Sequence, residues 1–365
     1  MTTTRLDLAE RLTPLLLAQP ERADDNLVLS PTSVEMVLTM LLIGAAAETK
    51  EQLRAVIGGG SDDELVAFAR SEREHLLDES SPVRIVNGIF VPTSCRLRPQ
   101  VVDRLRRDLG TSVSKLDFDD PAAVAEVNEW VAEATSGRIL RIVSDLERSA
   151  SMVLLSAIHF RADWATPFRP QSTVDKPFRL RDGTSVQRAA MQMTGEHPIW
   201  RGESWHLVDL AYEDPDYAML IALPTEPERR MLDFRDVAAG IDQLAPARVQ
   251  LQLPRFDLAS EMTLSSSLRQ AGVLDLFDPE RADLSALSED DLYATTMVHK
   301  ACVTVDEQGT EAAAATAVPL RRGFNPSKPV PFVVDRPFWF VLRNRRTGSW
   351  LFVGRVEDPG SSSPS

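Results

Sequence analysis

A chain of 365 residues can hold one large domain or two ordinary ones, and 43% hydrophobic with 26% charged residues is the balance of a soluble globular protein with a sizeable core. A formal net charge of -14 argues against a nucleic-acid groove or an anionic membrane surface as partner. Two distant cysteines, Cys95 and Cys302, show no CxxC and no zinc spacing, and Cys302 sits in an apolar strand-like run where a buried thiol is expected rather than a disulfide.

Leu6 to Leu17 has the spacing of a first, acidic and leucine-rich helix. The N-terminus lacks the basic start, apolar core and small-residue site of a secretory signal, so a cytoplasmic protein is the simpler reading, with the extracellular space left open. No apolar run approaches the roughly 20 residues of a membrane span. Asn26 to Ser30 is a short apolar strand or turn. Ser30-Pro31 then opens a helix, serine as N-cap and proline at the first helical position. Val34, Val37, Leu38, Leu41 and Leu42 give it a wide apolar face, so it is expected to be buried on most sides. Thr49-Lys-Glu-Gln52 reads as a capping box for the next helix, which ends at Gly58.

Val83 to Val91 alternates as a strand. Arg98 to Leu109 is a helix closed by Gly110, Ser112 to Phe118 a strand, and Pro121 to Ser136 a helix ending at Gly137 with Trp130 on its apolar side. Ser151 to Phe160 is almost wholly apolar and belongs in the middle of a sheet. Met219 to Leu223 and Val249 to Leu253 are further strands, each closed by proline. Met262 to Ala271 is expected as a helix before Gly272, and Ala294 to Asp306 as a long strand. Phe332 to Asn344 and Trp350 to Val356 read as a closing antiparallel pair. The Pro/Gly/Ser-rich tail, Asp358 to Ser365, is expected to be disordered. No linker or repeat divides the chain, and helices precede strands. This predicts a single α+β domain over residues 1–357.

One stretch resists this scheme. After the strand Cys302-Val-Thr-Val305 the chain breaks at Gly309, runs through almost bulk-free residues from Thr310 to Thr316, and stops at Pro319. Ala312 to Ala315 have the best helix propensity, yet they follow a glycine and precede a β-branched, proline-terminated run. A helix and a loop of small side chains are both open on these residues alone. Chemistry elsewhere is sparse. The five histidines, His75, His159, His197, His206 and His299, show no metal spacing. HExxH, GxSxG, a P-loop and GxGxxG are absent, so no cofactor is expected. His299, mid-strand, is expected to be a buried histidine with satisfied hydrogen bonds rather than a catalytic base.

The order of these blocks resembles the serpin family across essentially the whole chain. The resemblance rests on Asn26 to Ser33 with Gly44-Ala and Thr49-x-x-Gln52; on Asn128-Glu-Trp130, Thr135-Ser-Gly137-Arg-Ile139 and Leu154-x-x-Ala157-Ile-His-Phe160-x-x-x-Trp164; and on Leu223-Pro224, Leu253-Pro-Arg255-Phe256 and Ala282-Asp-Leu-Ser285. His299-Lys300-Ala301, Glu307 to Thr316, Arg336-Pro-Phe338 and Leu351-Phe-x-Gly354 complete it. It implies three β-sheets, about nine helices and an exposed reactive-centre loop over about 307–328. It also implies a monomer that traps a serine protease in a covalent 1:1 complex, by inserting the cleaved loop into the central sheet.

The resemblance also assigns residues. Glu307, Gly309, Thr310, Glu311, Ala312, Ala313, Ala314, Ala315 and Thr316 are the hinge. Strand alternation would put Thr310, Ala312, Ala314 and Thr316 on one uniformly small face, leaving Glu311 on the other. Gly309 is expected to supply hinge freedom. Leu320, Arg321, Arg322, Gly323 and Phe324 surround the bond under attack. Counting from Glu307 puts the cut at Gly323–Phe324, and counting back from the C-terminal block puts it at Arg322–Gly323. The second is favoured, because a guanidinium suits the acidic pocket of a trypsin-like protease, or a subtilisin-like one that prefers paired basic residues. Trp164, Arg255 and Glu307 resemble the cluster where insertion starts (the breach), with an ordinary surface pair as the alternative for Arg255 and Glu307. Ser30, Ser33, Ser156 and His299 resemble the polar cluster beneath the sheet midpoint (the shutter). The family commonly has asparagine where this chain has Ser156, a longer reach.

Two other functions compete with inhibition. A serpin fold with a binding, storage or chaperone role would carry bulky, charged or proline residues between Thr310 and Thr316, and this chain has none there but Glu311, which falls on the outward parity. A hydrolase on an unrelated α+β fold would need a clustered nucleophile and base, and no such pair stands out.

Overall fold

Ser30 caps a helix in the way its sequence demands. Its hydroxyl accepts the Ser33 amide at 3.1 Å, Pro31 occupies the first turn, and the helix runs over Pro31–Gly44 with nearly every side chain buried. The computed structural model of the chain describes residues 7–17, 25–58, 60–76, 81–228, 231–310 and 328–361. Among them are eight α-helices: α1 Asp7–Leu17, α2 Pro31–Gly44, α3 Ala47–Ile57, α4 Asp62–Leu76, α5 Pro99–Leu109, α6 Ala123–Ala134, α7 Phe234–Ile241 and α8 Ser265–Gln270. Strands β1 Leu27–Leu29, β2 Val83–Pro92, β3 Ser112–Leu116, β4 Val153–Phe160 and β5 Ala162–Asp163 come first in the chain. Between Phe160 and Met219, where periodicity assigns nothing, lie β6 Val174–Arg179, β7 Ser185–Arg201 and β8 Trp205–Ala211. Then follow β9 Tyr217–Pro224, β10 Ala245–Pro254, β11 Phe256–Thr263, β12 Thr296–Val305, β13 Gly309–Thr310, β14 Val330–Val333, β15 Phe338–Asn344 and β16 Trp350–Val356.

These elements divide into two compact units. One comprises the described residues of Met1–Pro20, Leu29–His159 and Ser260–Ala301. Its helices lie with the strands β3-β2-β4-β12, in that order. The other comprises the described residues of Glu21–Val28, Phe160–Ala259 and Cys302–Ser365. It holds a nine-stranded sheet ordered β1-β16-β15-β9-β8-β7-β10-β14, with β6 beside β7. The long β7 links two halves of this sheet. It pairs with β6 and β10 along most of its length, and with β8 only through Ile199 to Arg201. Counted by unbroken ladders, the described residues form two sheets; with the halves of this one taken separately they form three.

Four expectations need correcting. Thr49 is not an N-cap, because α3 begins two residues earlier with Ala46 at the cap. Thr49 Oγ1 instead accepts the Asp283 amide at 3.0 Å, and Gln52 Oε1 accepts those of Leu274 and Asp275, so both side chains clamp a loop. Met262 and Thr263 finish β11 rather than open a helix, since Phe256, Leu258, Ser260 and Met262 alternate inward with a period of two. Phe332 to Asn344 is two strands: β14 pairs parallel with β10, β15 antiparallel with β9 and β16, and Arg336-Pro337 separates them. Of the tail, Asp358 is held by Arg188, which grips its carboxylate at 2.7 Å, and by Asn26 Nδ2, which donates to its carbonyl at 2.7 Å, while residues 362–365 lie outside the described residues. The two cysteines are not joined. Cys95 is buried, but Cys302 is only half-buried, because it falls on the outward parity of β12.

Gly354 on β16 shows how tightly the nine-stranded sheet is packed. A Cβ there would lie 2.2 Å from a ring carbon of the fully buried Phe340 and 3.0 Å from the Leu27 carbonyl oxygen. Gly354→Ala is therefore expected to lower the unfolding free energy by about 1–3 kcal/mol. Urea unfolding followed by tryptophan emission measures this, and an unchanged midpoint would contradict the packing account.

Candidate functional site

Asp306 folds the chain back on itself. Its carboxylate accepts the amides of Gln308 at 2.8 Å and Gly309 at 3.2 Å, and its own amide donates to the Gly309 carbonyl at 2.9 Å. This turn delivers Gly309 and Thr310 as β13, a two-residue strand between two others. Thr310 pairs with Val305 of β12 on one side and with Ala162 of β5 on the other, and Gly309 pairs with Asp163. Gly309 and Thr310 are therefore built into a sheet, with Glu307 and Gln308 in the turn before them, at the start of the stretch expected as an exposed loop.

Gly309 is needed here for a different reason from the one expected. Its φ is not in the left-handed region. A Cβ would instead stand 2.1 Å from the Ala162 carbonyl oxygen and 2.6 Å from the Asp163 Cα, so the absence of a side chain is what lets three backbones lie side by side. Thr310, first of the small inward set, is fully buried, and its hydroxyl meets that of Tyr212 at 2.7 Å. Burial pushes the Tyr212 phenol up, so it stays protonated.

Trp164 closes this corner. It is 2% exposed and stacks on Tyr212 with ring centres 4.5 Å apart. Its backbone amide donates to the Gln308 carbonyl at 2.8 Å and its indole Nε1 to the Asp306 carbonyl at 2.9 Å. The Glu307 carboxylate accepts from Arg255 Nε at 2.8 Å, from Arg255 Nη2 and from the Thr173 hydroxyl. The Glu307 side chain is only 6% exposed, so this is not an ordinary surface pair, although Arg255 is half exposed. Burial pushes the Glu307 carboxyl up, but the hydrogen bonds from Arg255 and Thr173 outweigh it and hold the group below the usual carboxylate range. The sequence reading missed Thr173, Tyr212 and Ala162, all in the stretch where periodicity assigns nothing.

Ser30, Ser33, Ser156 and His299 also come together. His299 Nε2 accepts the Ser30 amide at 3.1 Å, which makes the imidazole neutral and places its proton on Nδ1. Nδ1 then donates to Ser156 Oγ at 3.1 Å, and Ser156 Oγ shares a 2.5 Å hydrogen bond with Ser33 Oγ. Ser156 belongs to β4 and His299 to β12, so a side-chain bond clasps two neighbouring strands over the start of α2. The short serine reaches because Ser33 leans in from the first turn of the helix. Complete burial lowers the His299 pKa to about 3.

Glu311, Ala312, Ala313, Ala314, Ala315, Thr316, Leu320, Arg321, Arg322, Gly323 and Phe324 lie outside the described residues. Among the described residues no group of three His, Cys, Asp or Glu side chains could hold a metal ion.

With this geometry in hand, comparison with known proteins defines the class. Residues 6–359 match the family model described as serpin (serine protease inhibitor), and the chain belongs to that family. It is 31% identical to serpin-Z2B of Triticum aestivum over 97% of this chain and 95% of that one. It is 29% identical to glia-derived nexin of Homo sapiens over 93% and 89%. Among solved structures, native protease nexin-1 with heparin superposes with a TM-score of 0.88 at 26% identity, covering 98% of each chain. Human thyroxine-binding globulin complexed with its hormone gives 0.89 at 26% identity, over 99% and 98%. The fold is thus the serpin fold, and the family is one of protease inhibitors rather than proteases.

Two measurements probe the two clusters. Gly309→Ala is expected to expel β13, giving faster limited proteolysis beside the turn and a loss of about 1–3 kcal/mol; unchanged proteolysis would contradict the close approach. For His299 the sign follows from its lowered pKa. Below pH 6.5 the unfolded chain binds a proton that the folded chain refuses until about pH 3, so stability falls with acidification across that window, by up to about 1.4 kcal/mol per pH unit. Urea midpoints from pH 7 down to about 5 should fall less steeply in His299→Gln than in the parent, and equal slopes would remove His299 as the titrating group.

Proposed function

We propose that this serpin is an irreversible, suicide-type inhibitor of a serine protease that cuts after arginine. The protease serine Oγ attacks the Arg322 carbonyl carbon, the Arg322–Gly323 bond breaks, and the new amine of Gly323 leaves with a proton. Arg322 stays attached to the protease as an ester. The freed upstream segment then continues β13 as a full strand between β12 and β4, and draws the ester with it before water can cleave it.

The observation that supports this most directly is β13 itself. Thr310 already has strand partners on both sides and Gly309 on one, so insertion needs extension of an existing strand and no new nucleus. Thr310 fixes the parity. Extension in the same register puts Ala312, Ala314 and Thr316 inward, where only small side chains fit, and Glu311 outward. Each added residue gains ladder hydrogen bonds, which drives the transition in one direction. The His299–Ser156 bond opposes it, because β4 and β12 must part for the strand to enter. Trp164, Arg255 and Glu307 hold the turn from which extension starts. The dibasic Arg321-Arg322 suits a trypsin-like or subtilisin-like target.

The protein should be mixed with trypsin and with a subtilisin, and the products resolved on denaturing gels. The expected outcome is an SDS-stable adduct, a released peptide beginning at Gly323, and a marked rise in the thermal stability of the cleaved inhibitor. Ala314→Arg buries a charge in the incoming strand. It is expected to be cut at the same bond while forming little or no adduct. Simple cleavage of the parent, with neither adduct nor stabilisation, would rule out inhibition and leave a binding or chaperone role on the same fold.

A further inference from the structure

β10 lies between β7 and β14, and the three strands share one outer face. Alternation decides which side chains that face carries. Val249, Leu251 and Leu253 of β10 and Phe332 of β14 point inward and are buried. The residues between them point outward, and the register sets them in two rows: Gln192, Gln252 and Val333, then Thr194, Gln250 and Pro331. Thr194, Gln250, Pro331 and Val333 are exposed, and Gln192 and Gln252 are half-buried. The edge strand is held firmly. The Val334 amide donates to the Gln252 carbonyl at 2.9 Å, and Arg201 Nη2 donates to the Pro331 carbonyl at 2.7 Å.

None of these outward side chains is charged, in a chain whose net charge is -14. The charges past either end of the rows are paired. Glu196 stands directly opposite Arg248, and beyond the other end of β10 Arg255 is bound to Glu307. An uncharged exposed centre with polar groups and paired charges around it has the composition of a protein–protein interface.

What covers the face follows from where the loop begins and ends. The described residues stop at Thr310, just after the turn that Arg255 holds near one end of β10. They resume at Lys328, which the register, carried back two residues from Val330, sets beside Ala247 near the other end. Five residue steps separate Gly323 from Lys328, a reach of about 17 Å at full extension. A protease domain is roughly 40 Å across, so one holding the Arg322–Gly323 bond is wider than its tether to β14 is long.

We infer that this face of β7, β10 and β14 is a second contact surface for the target protease, and that it takes a flat, uncharged part of the protease beside the groups that hold the residues after the cut. The inference rests on the inhibitory reading proposed above and adds the partner's surface chemistry to it. The amides of Gln192, Gln250 and Gln252 and the Thr194 hydroxyl meet uncharged polar groups, and Val333 supplies apolar contact. A protease with a charge at that place is selected against, because the charge would be desolvated without a partner.

The test is the second-order rate of SDS-stable adduct formation between the full chain and trypsin, measured at about 0.5 M salt to screen long-range steering. Two double variants put charge on the face: Thr194→Arg with Gln250→Arg, and Thr194→Glu with Gln250→Glu. Both are expected to slow association about tenfold, since a charge of either sign must be desolvated. The share of inhibitor that ends as adduct rather than as simple cleavage product should not change, because these residues lie outside the strand that inserts. Gln187→Arg, at an exposed position of β7 beyond the two rows, should associate at the parent rate. Circular dichroism checks folding, and Gln250→Arg alone serves where a double variant does not fold. Rates within twofold of the parent, opposite changes for the two signs, or an equal slowing by Gln187→Arg would each overturn the inference while inhibition stands. No adduct from the parent would remove inhibition and this inference with it. A parent chain that elutes as a dimer, and as a monomer with Gln250→Arg, would give the face to a second copy and overturn the inference too.

Discussion

The close approach of three backbones at Gly309 is the constraint on which the rest of the site depends. With the Ala162 carbonyl 2.1 Å from where a Cβ would be, no other residue lets β13 lie between β12 and β5. Everything around it serves to hold that short strand. Asp306 ties the turn through backbone amides, Trp164 donates to two of its carbonyls, and Glu307 is held from outside by Arg255 and Thr173. Two residues of strand contribute little by themselves, so these side-chain anchors are what keep the segment in register.

The His299 cluster works by opposite physics. Where the turn at Asp306 fixes a strand already in place, the bond from His299 to Ser156 ties β12 directly to β4. A buried hydrogen bond contributes modestly while intact, but breaking it strands polar atoms away from water, at about 1–3 kcal/mol for each orphaned group. Ser156 and His299 come from the two strands, and Ser30 and Ser33 from the start of the buried helix beneath them.

Much of the fold was legible in the sequence, and for identifiable reasons. The Ser30-Pro31 start of α2, the glycine stops after α3 and α5, and the apolar run of β4 depend on neighbours in the chain, and local rules found them. Local rules failed where distant residues decide the outcome. Thr49 and Gln52 have the spacing of a capping box, but a loop more than 200 residues away claims their side chains. Residues 164–216 hold three strands, yet β7 changes partners along its length, so no one burial period runs through it. Of the candidate site, the residue types at Trp164, Arg255, Glu307 and His299 were picked out from a family resemblance. Thr173, Tyr212 and Ala162 carry no signal of their own, because their importance comes only from what they face.

The sequence by itself determined the family and the order of blocks, because both rest on residue types met in chain order. It could not decide whether Gly309 acts through freedom or through absence of bulk, because both demand glycine. Only the tertiary structure answered that, by bringing Ala162 and Asp163 against it from nearly 150 residues away.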